Sequence, residues 1–176
     1  MIAAHENPFR PERTDALAPL LDESLEDLLT RFAAQDHRGV LVGPHGSGKS
    51  TLLRAMAPRL GCITWLRLRQ DPTHNRAALA ELPGRIDGVL VLDGLEQLGP
   101  LGWWRIRRRA RRILATSHRP GRLPTLRRQQ TSAELLGRVI DALGEPRPDD
   151  IAELFAQHHG DVRACLRAMY DRLAAQ

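Results

Sequence analysis

The chain has 176 residues, 42% of them apolar and 27% charged, enough for one domain with a substantial core, or a core with a small helical appendage, and too apolar for wholesale disorder. The net charge of +5 comes from 26 basic residues, of which Lys49 is the only lysine. Such an excess admits a phosphate-bearing partner without requiring one, since a base composition that favours arginine codons produces it equally well.

Neither a secretory leader nor a run of 18 apolar residues is found, so a cytoplasmic protein without a membrane span is expected. Cys62 and Cys165 lack the spacing of a zinc site or a disulfide framework and read as buried thiols.

In chain order, a helix is expected over 24–35, then a strand over 39–42, where Val40, Leu41 and Val42 form a short apolar run that Gly43 ends. A helix over 48–57 follows, with Leu52, Leu53 and Met56 at helical spacing and Pro58 as its stop. Between strand and helix stands VGPHGSGKST. In a chain that otherwise uses arginine, Lys49 marks a place where the two cations are not interchangeable. A compact ammonium on a flexible stem enters a site crowded with backbone amides, and a planar guanidinium does not.

Gly43-x-x-x-x-Gly48-Lys49-Ser50 has the spacing and the strand–loop–helix context of a phosphate-binding loop. Candidate phosphate ligands are Gly43, Pro44, His45, Gly46, Ser47, Gly48, Lys49, Ser50 and Thr51, with Lys49 directed to the β and γ phosphates and Ser50 to magnesium. On these residues the chain resembles the P-loop NTPases. The resemblance implies a three-layer α/β sandwich with a parallel sheet of about five strands, and ATP with Mg2+ as ligands.

A strand over 62–68, whose Arg67 and Arg69 share one face as on an edge strand, and a helix over 73–82 come next. Val89-Leu90-Val91-Leu92-Asp93 then reads as a buried strand over 88–93. Its terminal carboxylate lies where open α/β sheets bind ligands. Asp93 resembles the Walker B magnesium carboxylate. AAA+ proteins usually place the water-activating glutamate directly after it, whereas this chain has Gly94 there and Glu96 beyond. That arrangement resembles the Walker B of STAND and NACHT ATPases, and the departure from the AAA+ pattern leaves a slow nucleotide switch as open as a motor. Glu96 reads either as the group that polarises the attacking water or as a first-turn helix residue favoured by the dipole.

WWRIRRRARR reads as a helix over 103–112, with Trp103, Ile106 and Ala110 on a packing face. Arg105, Arg107, Arg108, Arg109, Arg111 and Arg112 would then form a solvent face for nucleic acid, for a protein partner, or for water alone. The next strand, 113–117, ends in Thr116 and Ser117, followed by His118. It resembles the sensor 1 strand of the additional-strand class, which includes AAA+ and STAND proteins, and that resemblance places it between the two Walker strands with Thr116 or Ser117 toward the γ phosphate. His118 also resembles the histidine after this strand in ABC ATPases, although no LSGGQ-like signature is present. A fifth strand is expected over 123–128.

The C-terminal part changes character. Thr131 and Asp150 each precede a glutamate by three residues and open helices, and a third helix follows Asp161 with Val162, Cys165, Leu166, Met169 and Leu173 on one stripe. The expected organisation is a nucleotide-binding core over 1–130 and a short helical lid over 131–176. GDVRACL resembles the sensor 2 segment of AAA+ lids, which would make Arg163 a phosphate contact; a solvated helix arginine is the other reading. Two functions follow: a slow ATPase or nucleotide switch of AAA+/STAND type, or a small P-loop kinase, in which the two Walker strands are neighbours. A nucleotide-loaded binding module without turnover is a third. Nothing in the sequence fixes the oligomeric state.

Overall fold

The apolar runs form β1 (Arg38–Val42), β2 (Ile63–Arg67), β3 (Ile86–Asp93), β4 (Ala110–Ser117) and β5 (Thr125–Arg128), which pair in parallel in the order β2-β3-β4-β1-β5. This computed structural model describes residues 6–175. They fall into two compact units. One comprises residues 21–43 and 52–128 and contains the sheet; the other comprises the N-terminal segment up to Leu20, Pro44–Thr51 and the residues from Gln129 onward.

In the sheet unit the strands alternate side chains between two apolar layers, as a period of two requires. Val40, Val42, Leu90, Leu92, Ile113 and Ala115 face one layer, where Ile106 of α5 (Pro100–Arg109) and Ala78 and Leu79 of α4 (Pro72–Ala80) pack. Leu41, Val89, Val91, Leu114 and Leu126 face the other, together with Leu28 and Phe32 of α2 (Leu25–Ala34) and Leu52, Leu53 and Met56 of α3 (Lys49–Met56). The result is an α/β sandwich of three layers, with the central strands buried on both faces as parallel strands are. Each fully buried Leu, Ile or Phe in it contributes roughly 1.5–3 kcal/mol relative to exposure.

Placing β4 between β1 and β3 matches the order expected for an additional-strand protein. Its boundary differs from expectation. The helix stops at Arg109 and the strand already begins at Ala110, so Arg111 and Arg112 belong to β4 and not to a helix running to 112. Sheet pairing overrides the helical spacing here: Ala110 lies opposite Ile86, and Ile113 lies between Arg38 and Leu90. The helix begins earlier than expected, with Pro100 in its first turn, where a missing N–H costs nothing.

The second unit packs α6 (Ala133–Ala142), α7 (Ile151–Gln157) and α8 (Val162–Ala174) around Phe9, Leu136, Ile140, Leu143, Leu154, Val162, Cys165, Leu166 and Met169, while α1 (Pro11–Ala16) buries no residue and is tied to it by Arg13, which donates to the Leu143 carbonyl at 2.9 Å. Buried Asn7 ties the N-terminal segment into this core, accepting from the Phe9 N–H at 3.0 Å and donating to the Tyr170 carbonyl at 2.9 Å. Helix α6 is capped by Ser132, one residue later than the Thr131 expected from the capping-box spacing, with its hydroxyl accepting from the Leu135 N–H. Cys165 is buried as expected, and burial pushes its thiol up. Cys62 is instead exposed, because it lies just before the edge strand β2. Among the described residues no helix is long and apolar enough to cross a membrane.

Candidate nucleotide-binding site

The loop after β1 has the backbone that its glycines suggest. Gly46 and Gly48 adopt φ of 69° and 79°, the left-handed region that costs an L-residue roughly 1–2 kcal/mol. Open space surrounds Gly48, so conformation alone selects glycine there. At Gly46 a Cβ would also lie 2.0 Å from the Asp161 carboxylate oxygen. The Pro44 carbonyl accepts from the Ser47 hydroxyl at 2.9 Å and from Lys49 Nζ at 2.6 Å, and both side chains are buried. The ammonium is therefore held over its own loop, while His45 and Gly48 are exposed and Gly46, Ser50 and Thr51 are half-buried. Helix α3 starts at Lys49, so its unpaired N–H groups and the positive end of its dipole open onto this loop.

At the C-terminal ends of the sheet strands, a second group of residues converges. The register that sets Leu92 opposite Ala115 brings Asp93 level with Thr116. The buried Thr116 hydroxyl donates to Asp93 Oδ1 at 2.6 Å and accepts from the Gly94 N–H at 2.9 Å. Its one proton is thus spent on the carboxylate, which it orients. Arg67 Nε lies 3.6 Å from the other carboxylate oxygen.

Gly94 is the residue that separates this strand end from the AAA+ pattern, and its backbone explains why. It has φ of 94°, and a Cβ there would lie 2.8 Å from the Leu68 carbonyl oxygen. No side chain fits at that position without moving backbone, so an acid directly after Asp93 would be strained. The acid that is present, Glu96, lies in the short turn Leu95–Gln97.

Glu96 Oε1 is 3.1 Å from His118 Nε2, and His118 Nδ1 is 3.2 Å from the Gly43 carbonyl. Both partners of the ring are acceptors. A neutral imidazole donates to one of them, whereas the imidazolium satisfies both. Ser117 makes a local turn, its hydroxyl donating to the Arg119 carbonyl at 2.8 Å.

Arg163 lies in the first turn of α8, two residues after Asp161, whose carboxylate caps that helix by accepting from the Arg163 and Ala164 N–H groups. The Arg163 guanidinium is 3.4 Å from Asp15 and largely exposed.

The sheet unit thus groups Asp93, Glu96, Thr116, His118 and Gly43, and the second unit holds residues 44–51 with Asp161 and Arg163. Sequence reasoning missed the Thr116–Asp93 and His118–Glu96 pairs and the approach of Asp161 to Gly46. The first was readable from two strands ending at one level; the others arise from turns whose path no periodicity encodes.

No protein-family model and no curated protein matches the chain. Among solved structures it is similar to NtrX from Brucella abortus, crystallised in complex with ATP, at 18% identity and a TM-score of 0.51. The match covers 91% of this chain and 50% of NtrX, so the chain spans about half the length of that protein. The fold of this chain is that of a P-loop NTPase-like α/β protein.

Proposed function

We propose that the chain binds ATP with Mg2+ and acts as a slow ATPase or nucleotide-dependent switch of AAA+/STAND type. The observation that carries this reading is the loop itself: left-handed glycines at 46 and 48 and a buried lone lysine, at the start of a helix. Backbone amides of residues 45–51 would take the phosphates, since Pro44 has no N–H and the Gly43 N–H donates to the Ser117 carbonyl at 3.2 Å, and Lys49 would neutralise the β and γ oxygens. Among the described residues no cluster of His, Cys, Asp and Glu forms a metal site of its own. A magnesium ion would therefore draw on phosphate oxygens and water besides Ser50 and Asp93. Its carboxylate is a fitting donor, fixed by a hydroxyl on one oxygen. The ATP-bound state of the similar structure supports the same ligand.

In this reading Glu96 polarises the attacking water, Thr116 positions Asp93, and residues 131–176 serve as a lid that brings Arg163 to phosphate. Turnover is slow because the Glu96 carboxylate is engaged by His118 and the position beside Asp93 holds glycine, where an acid would be strained. The strand order disfavours the kinase alternative, since β4 separates the strands that end at the loop and at Asp93. Phosphate release from Mg-ATP by the wild type and Glu96→Gln tests the proposal. The variant is expected to keep ATP binding and lose turnover by about 10²–10⁴-fold, the usual worth of a positioned general base; equal turnover would remove Glu96 from the chemistry.

A further inference from the structure

The outward side of α5 has no role in the nucleotide reading. At 100° per residue, Leu101, Trp104, Arg105 and Arg108 share a stripe opposite Ile106, which is buried in the core with Trp103 packed beside it. Leu101 is 60% exposed and Trp104 54%, two of the three exposed large apolar side chains among the described residues. The Arg108 guanidinium lies 4.9 Å from the Trp104 ring centroid and steadies the indole. Arg107 flanks the stripe, and Arg111 and Arg112 are exposed at the start of β4.

Eight arginines elsewhere in the chain have a carboxylate partner, and among the described residues those of this face do not. Arg31, Arg59, Arg67, Arg85, Arg127, Arg147, Arg163 and Arg172 each face a carboxylate. Among the described residues Arg105, Arg107, Arg108, Arg111 and Arg112 make no ion pair. The sequence gives the reason: from residue 97 to 133 it contains ten arginines and not one acid. A composition bias toward arginine supplies cations everywhere, but it does not remove acids from one segment.

We propose that this face binds single-stranded nucleic acid. Phosphates match a run of cations that the protein leaves unneutralised, and unpaired bases match a half-exposed indole, a surface that a duplex, with its base faces stacked away, does not use. The stripe of Leu, Trp and Arg side chains carries donors and apolar surface and no acceptor for a 2′-hydroxyl. Stacking on Trp104 and phosphate contact are common to ribose and deoxyribose strands, so both are expected to bind.

The test is fluorescence anisotropy of a labelled oligothymidylate, the matching oligouridylate and a DNA duplex, without ATP, against wild type, Trp104→Ala, Arg105→Gln and Lys49→Ala. The two substituted surface residues are exposed, and an unchanged melting temperature verifies their fold. Trp104→Ala is expected to weaken both single strands about 5- to 150-fold, the worth of one stacked base, with the salt slope unchanged. Arg105→Gln should make the slope of log K against log salt shallower by about 0.7. Lys49→Ala should bind strands like wild type, which keeps this result separate from the fate of the nucleotide reading. The proposal is overturned if wild type binds no strand at about 50 mM salt, if Trp104→Ala binds as wild type does, if the duplex binds as tightly as single strands, or if the face instead holds two copies together in a dimer that Trp104→Ala dissolves.

Discussion

Replacing Gly94 by alanine probes the strand end on which the magnesium carboxylate sits. Gly94 occupies φ of 94°, and its Cβ would lie 2.8 Å from the Leu68 carbonyl, a backbone atom that cannot swing aside. The left-handed conformation costs roughly 1–2 kcal/mol for an alanine, and relieving the overlap costs about 1–3 kcal/mol more. Any shift also stretches the 2.9 Å bond from the Gly94 N–H to Thr116. The expected loss is about 3 kcal/mol, or a melting temperature lower by about 6–12 °C for a chain of this length. Urea denaturation followed by circular dichroism measures it, with Gly84→Ala as control, since open space surrounds Gly84. If Gly94→Ala and Gly84→Ala unfold within about 0.5 kcal/mol of each other, the steric account of the missing glutamate is wrong.

Two further substitutions test other parts of the structure. Thr116→Val keeps shape and removes the hydroxyl that donates to Asp93, so it should cost about 1.5–3 kcal/mol and weaken Mg-ATP more than metal-free ATP, as isothermal titration would show. In the second unit, the hydrogen bond from the Arg147 guanidinium holds the Asp141 carboxyl below the usual carboxylate range. A depressed folded value contributes stability above the unfolded value near 4 that is lost as pH falls through the folded one. The stability gap between wild type and Asp141→Asn should accordingly narrow on acidification below about pH 4, and a gap constant down to about pH 2 would contradict the pairing.

The order of elements was legible because each had its own period: apolar runs bounded by glycine for β1 and β3, helical spacing with a proline stop for α3. The start of β4 was not, since Trp103, Ile106, Ala110 and Ile113 satisfy helical spacing and only pairing of Ala110 with Ile86 decides for a strand. The loop was legible from local chemistry, glycines and a lysine within one short stretch. The partners of its neighbours were not. Whether Glu96 meets water or His118, and whether Arg163 meets phosphate or Asp15, depends on side chains brought from distant parts of the chain.

The most direct test of the nucleotide reading is calorimetric titration of Mg-ATP into wild type and Lys49→Ala at matched thermal stability. Saturable binding by the wild type is expected, with a loss of at least about tenfold, 1.4 kcal/mol, in the variant. Equal affinities, or no binding by the wild type, would contradict it.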